Sequence, residues 1–215
     1  MRWSLLVNLN KCVTCYSCVT KCKQEHFLPP GVSWGKILVS ETGKHPRAIK
    51  LSYPVLCNHC QEAKCVEVCP AGATQRREDG IVWIDPDKCI GCRYCVVACP
   101  YQARAYLAKK KEYYPGQGFT EFEKIGDRLY HHQIGTVSKC NFCMERIDAG
   151  LKRGLKPGVD REATPVCVIT CPAKARYFGD LDDPSSEISE LVRKSQAAPL
   201  HPEYATEPAV YYAIR

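Results

Sequence analysis

The sequence predicts an α+β protein of two interlocked modules, joined by metal more than by apolar core, with one long loop or β insertion. Three observations predict it. Sixteen cysteines among 215 residues fall into four groups of four with none left over. Two groups share one spacing, so the chain repeats internally. The second and third groups are neighbours in sequence, while the first and fourth lie on either side of them and must meet across the chain.

The groups themselves come first. Cys12, Cys15, Cys18 and Cys22 are spaced C-x2-C-x2-C-x3-C. Cys57, Cys60, Cys65 and Cys69 are spaced C-x2-C-x4-C-x3-C and followed by Pro70, and Cys89, Cys92, Cys95 and Cys99 repeat the first spacing and end on Pro100. The fourth group is split into Cys140/Cys143 and Cys167/Cys171, with Pro172 behind it. Three thiolates at i, i+3 and i+6 wrap a loop around three corners of one [4Fe–4S] cube, and the fourth cysteine ligates the partner cluster. Each module is therefore expected to be a bacterial-type, ferredoxin-like unit with two clusters. Exchange of fourth ligands predicts the sets Cys57/Cys60/Cys65/Cys99 and Cys89/Cys92/Cys95/Cys69 in the middle. Across the ends it predicts Cys12/Cys15/Cys18/Cys171 and Cys140/Cys143/Cys167/Cys22. Two other uses of thiols are weighed. Cysteines two or three residues apart pair poorly as disulfides. Structural zinc takes two knuckles of two ligands, a look only the fourth group has.

The remaining elements follow the chain. Trp3–Val7 reads as a strand feeding a ligand loop, and Asn8-Leu9-Asn10-Lys11-Cys12-Val13-Thr14-Cys15 echoes Asp85-Pro86-Asp87-Lys88-Cys89-Ile90-Gly91-Cys92 behind Ile81–Ile84. Residues 23–51 form a Pro/Gly-punctuated excursion. Asp79-Gly80 marks a hairpin between Thr74–Arg77 and Ile81–Ile84. The central module spans 52–105, and the outer one 1–51 and 106–215. Residues 101–139, rich in Tyr and Lys, are expected to be loops or a β extension that docks a partner. Within them His131 and His132 read as structural, and His59, between two cluster cysteines, as a neighbour of the site and not a ligand. Cys140–Ala149 is expected to be helical with Gly150 as its C′ residue. A later helix is expected from Asp183 as N-cap, Pro184 at N1 and Glu187 in the first turn, with Ile188, Leu191 and Val192 as its packed stripe. The tail, with Pro199, Pro202 and Pro208, is expected to run extended along a neighbour.

Charge and absences narrow the function. The chain carries a formal +7. Each oxidised cluster with four thiolates adds about −2, so four leave about −1. The basic excess is thus compensation for clusters, and no Lys/Arg-dense block interleaved with aromatics suggests nucleic acid. Lys11, Lys21, Lys64, Lys88 and Lys139 each precede a cluster cysteine, either as cations that raise a potential or as solvated loop lysines. No stretch approaches the ~20 apolar residues of a membrane helix, and Met1–Val7 is too short for an export signal. There is no GxGxxG loop, catalytic triad pattern or carboxylate pair beside a pocket motif, and Asp182, Asp183 and Glu187 suit a helix start. One-electron carriage without catalysis is the expected role.

The layout resembles the iron–sulfur subunits of DMSO-reductase-family molybdenum or tungsten enzymes, including polysulfide/thiosulfate and respiratory arsenate reductases. The resemblance is carried by Cys57-Asn58-His59-Cys60, Cys89-Ile90-Gly91-Cys92, Cys99-Pro100-Tyr101, the run from Cys171 to Asp180, Asp182-Asp183-Pro184 and Pro208–Tyr212. It implies a molybdopterin catalytic subunit at one end of the cluster chain and a quinone-reactive membrane anchor, or another carrier, at the other. It implies membrane association through those partners, on the periplasmic side by co-export with the catalytic subunit or on the cytoplasmic side. The alternatives are a polyferredoxin of a hydrogenase or formate dehydrogenase complex and, in another class, a zinc-stabilised scaffold.

Overall fold

Each cysteine group is reached along one strand and left toward another. In the computed structural model, which describes residues 1–214, β1 (Trp3–Asn8) leads into Cys12 and β2 (Gly35–Thr42) follows Cys22. Likewise β3 (Ile49–Leu56) and β4 (Thr74–Arg76) bracket the second group, β5 (Val82–Ile84) and β6 (Ala105–Tyr106) the third, and β7 (Val137–Ser138) and β8 (Arg176–Asp180) the fourth. Each outgoing strand pairs antiparallel with the next incoming one: β2 with β3, β4 with β5, β6 with β7. The series closes on itself, because β8 pairs with β1 from Trp3↔Asp180 to Val7↔Arg176.

Inside each bracket the third cysteine lies in the first turn of a helix. Cys18 is in α1 (Ser17–Glu25), Cys65 in α2 (Lys64–Glu67), Cys95 in α3 (Tyr94–Val97) and, beyond α4 (Glu121–Leu129) and α5 (Met144–Lys152), Cys167 in α6 (Val166–Ile169). The fourth cysteine comes four residues later, within α1 at Cys22 and just past the helix at Cys69, Cys99 and Cys171. Pro70, Pro100 and Pro172 stop three of these turns. α1 packs on α6 and α2 on α3.

The chain ends meet on β1. Leu5, Leu6 and Val7 are all buried. Leu5 and Val7 face the main core and Leu6 faces α7 (Glu187–Lys194), so this strand is apolar on both sides, as a central strand should be. The sheet order is β8-β1-β10-β9, with β9 (Ala198–Pro199) and β10 (Val210–Ala213) supplied by the tail and β10 parallel to β1. A column of rings crosses the core: Trp3 stacks on Phe178 (5.6 Å), Phe178 meets Phe142 edge-on (5.4 Å) and Phe142 stacks on His59 (3.7 Å).

Several expectations are corrected. The helix expected over Cys140–Ala149 starts only at Met144, because Phe142 and Cys143 both turn left-handed (φ 55°). Gly150 lies within α5 and does not end it. A Cβ there would stand 2.3 Å from that of Ala163, so the glycine permits close packing. The N-cap of α7 is Ser186, whose Oγ accepts from Ser189 N at 3.2 Å, whereas Asp183 Oδ1 accepts from Ser185 N in the turn before it. The Ile188, Leu191 and Val192 stripe packs as expected, and so does the 79–80 turn, with Gly80 at φ 84°. The tail joins its own chain's sheet through β10 and β9. The 101–139 segment holds a helix that was not expected, α4, opened by a Thr120–Glu123 capping box.

Candidate metal centres

A C-x2-C loop must double back within four residues, and here each does so through left-handed backbone. Thr14 and Tyr16 flank Cys15 (φ 56° and 60°), Gly91 and Arg93 flank Cys92 (69° and 65°), His59 precedes Cys60 (44°) and Phe142 precedes Cys143 (55°). Left-handed non-glycine residues cost about 1–3 kcal/mol each and persist where the surroundings over-determine them. At position 91 only glycine serves, because a Cβ would sit 2.0 Å from Gly135 O.

The folded loops bring thiols together in sets. Cys12, Cys15, Cys18 and Cys171 border one recess together with Arg176. Cys22, Cys140, Cys143 and Cys167 border a second, with Cys18, His26 and Arg176 also on its wall. The Cys60 thiol lies in the field of Cys57, Cys65 and Cys99, and that of Cys95 in the field of Cys69 and Cys89. Cys140 and Cys57 also act on one another, so the second and third groupings adjoin. Cys15 and Cys92, in the first and last groupings, are exposed, while Cys22, Cys140, Cys143, Cys167, Cys57 and Cys95 are buried.

Burial makes the bare thiolates expensive. It pushes Cys140 and Cys60 each up to about 12, and raises Cys22 and Cys143 as well. Such thiols ionise only beside positive charge, supplied by metal and by nearby cations. Among the described residues three cations are buried, Arg104, Lys139 and Arg176, at 8%, 3% and 7% exposure. Burial raises Cys65 and Cys95, and Arg104 acts against it at both. Arg176 does the same for Cys18.

Hydrogen-bond donors around the thiols are left over. Arg104 Nη1 donates to Thr74 Oγ1 (3.3 Å), but Nη2 has no partner among the described residues. His59 Nδ1 accepts from Val82 N (3.1 Å), so Nε2 carries the proton, and it too has none. Thr74 N and Ala175 N point at Cys69 Sγ (3.4 Å) and Cys171 Sγ (3.3 Å), and His26 Nε2 lies 3.3 Å from Cys143 Sγ. Among the described residues no three His, Cys, Asp or Glu side chains close on a single-ion site. Thiol sets around recesses, buried cations and donors lacking acceptors fit [4Fe–4S] clusters, whose sulfides accept hydrogen bonds and whose ligated form is anionic.

Among the lysines ahead of cluster cysteines the two readings divide. Lys64 and Lys88 are exposed in ion pairs with Glu67 and Asp85, Lys11 is exposed, and Lys21 is half-buried near Glu25. Lys139 alone of the five is buried. The expected structural role of the histidines holds for His132, whose Nε2 meets His26 O at 2.7 Å, and His59 is a buried neighbour of the cysteines. The arginines were missed. Their signal is a repeat, Cys99-Pro100-Tyr101-Gln102-Ala103-Arg104 against Cys171-Pro172-Ala173-Lys174-Ala175-Arg176.

Residues 49–117 match the model of a 4Fe–4S dicluster domain. Across the whole chain, the sequence is similar to a selenate reductase subunit of Mesobacillus selenatarsenatis, 38% identical over 99% of this chain and 72% of that protein. It is similar to a tetrathionate reductase subunit of Salmonella typhimurium, 35% identical over 98% of this chain and 72% of that protein. It is also similar to the arsenate respiratory reductase iron–sulfur subunit of a Shewanella species, 32% identical over 99% and 96%.

Proposed function

The chain belongs to the family of iron–sulfur electron-transfer subunits of DMSO-reductase-type molybdopterin oxidoreductases, and we propose that it is the four-cluster wire of such a complex. It carries [4Fe–4S] clusters and catalyses no reaction of its own. We assign them to Cys12/Cys15/Cys18/Cys171, Cys140/Cys143/Cys167/Cys22, Cys57/Cys60/Cys65/Cys99 and Cys89/Cys92/Cys95/Cys69, in that spatial order. The first two sites make an outer module of residues 1–51 and 106–215, and the last two a central module of 52–105. Bound clusters supply one-electron uptake and release. The chain's residues space them, exclude water from the inner two and leave the outer two near the surface.

The observation that carries this reading is the pair of recesses whose walls mix cysteines from both chain ends, with Cys171 beside Cys12–Cys18 and Cys22 beside Cys140–Cys167. The exposed residues Val13 and Tyr16 beside Cys15, and Ile90, Tyr94 and Val97 beside Cys92, suit docking of a partner at each end. We assign those partners as a molybdopterin catalytic subunit and a membrane-anchored quinone-reactive subunit or other carrier. No helix among the described residues is long and apolar enough to cross a membrane, and we assign membrane association to the partner subunits. Anaerobic purification through a tag on this chain tests the reading. About 16 iron atoms per chain, with molybdenum or tungsten in a co-eluting large subunit, is the expected result. Iron without a pterin metal points to a polyferredoxin, and zinc in place of iron overturns the assignment.

A further inference from the structure

The four proposed sites leave three gaps between neighbours, and each gap holds one of the three buried cations. Arg176 borders both outer-module recesses, touching the set with Cys12 and Cys171 and the set with Cys140 and Cys167. Lys139 donates from Nζ to Cys140 O (2.7 Å) and to Val82 O, and its charge reaches Cys65 of the third set. Arg104 faces Cys65 of the third set and Cys95 of the fourth. Arg104 and Arg176 also occupy equivalent places, five residues after Cys99 and Cys171 and each directly at or before the start of an outgoing strand. Three fixed charges at three successive junctions are hard to attribute to packing, since burying an unpaired cation is costly. None of the three forms a salt bridge with a carboxylate among the described residues, so the clusters are the anions left to pair with them.

Resting on the four-site reading above, we propose that Arg176, Lys139 and Arg104 are shared counter-charges, each positioned to raise the reduction potentials of the two clusters it stands between. A cation beside a cluster stabilises the form with one more electron, so its loss makes reduction harder. Placed between two clusters, it moves both potentials together and preserves the step between them. An electron hopping across the gap therefore meets no trap created by the charge that stabilises it. A cation serving one cluster only would deepen that cluster against its neighbour and slow the onward hop. Arginine suits two of the junctions because its planar fork offers donors in more than one direction and its charge is permanent.

The test is a redox titration of the holo-complex, followed by the electron paramagnetic resonance signals of the reduced clusters, with iron counted on every sample. In Arg104→Gln the reduced-to-oxidised ratio at fixed potential is expected to fall at least tenfold, about 59 mV for one electron, at the third and fourth sites. The first two should stay unchanged. Arg176→Gln should move the first and second sites, and Lys139→Gln the second and third, one from each module. The charge-retaining Arg104→Lys should recover most of the shift. Unchanged potentials in iron-replete Gln variants, or a shift at one site alone, overturn the proposal while leaving the four-cluster reading intact. Wild-type protein that binds no iron would instead sink that reading. If Arg104→Gln loses iron, Arg104→Lys decides. Iron retained with both potentials held supports shared charge, and iron lost there too overturns it, because shape would then be what the junction requires.

Discussion

Phe142 offers the most direct measure of how the cysteine loops are tied to one another. It is 1% exposed, stacks on His59 of the Cys57–Cys60 loop at 3.7 Å and meets Phe178 of β8 edge-on at 5.4 Å. Phe142→Ala removes the ring from the middle of the column while keeping a Cβ, so the left-handed backbone (φ 55°) is strained equally before and after. Emptying such a site costs about 3–5 kcal/mol. At roughly 2–4 °C per kcal/mol for a chain of this length, the thermal midpoint should fall by about 6–20 °C. Phe142→Leu keeps most of the volume but loses the ring contacts, at about 0.5–1.5 kcal/mol each, so it should fall in between. The assay is anaerobic thermal unfolding followed by circular dichroism, with iron release recorded alongside. A shift below about 3 °C for Ala, or equal shifts for Ala and Leu, would refute the idea that this column joins the loops.

Two further outcomes are expected. Gly91→Ala should drive a Cβ into Gly135 O at a φ of 69°, displace the Cys89–Cys95 loop and cut bound iron by about a quarter, read as the iron-to-protein ratio. His132 is held below the ordinary histidine range chiefly by burial, with His131 and Lys110 adding to it and His26 O and Asp127 opposing. Its neutral form belongs to the fold. Stability should therefore be full above about pH 6.5 and decline as pH falls from there toward the depressed folded value. Hydrogen-exchange protection across residues 120–132 should be lower at acid pH, and a flat profile would contradict the burial argument.

Much of the site was legible because cluster ligation is local chemistry. Spacing alone identifies the four loops, and alternation with a Gly turn identifies the 74–84 hairpin. The parts that were missed depend on what a residue meets after folding. Lys88 and Lys139 look alike in sequence, each one place before a cysteine, yet one pairs with Asp85 at the surface and the other is enclosed against Val82 and Cys140. The Pro-to-Arg repeat could be seen in advance, but nothing in it distinguishes a surface arginine from an interior one. α4 hid for a different reason. Its apolar residues Phe122, Ile125 and Leu129 are largely exposed, so the capping box was the signal to read, more than any buried stripe. The strand β10 in the proline-marked tail was not legible, because its partner β1 lies far upstream in the sequence.

The closure of β8 and β10 onto β1 also imposes a timetable on biosynthesis. β1, apolar on both faces, is made well before its two flanking strands, which lie far downstream of it. At about 5–20 residues per second, it waits roughly 10–40 s beside Cys12–Cys22 with neither strand partner in place. The 74–84 hairpin, by contrast, has both its strands within seconds. A nascent chain thus exposes its stickiest strand and the Cys12–Cys22 thiols together until β8 and β10 are made. Any chaperone that guards this protein should recognise β1 and release it only once translation has passed Ala213.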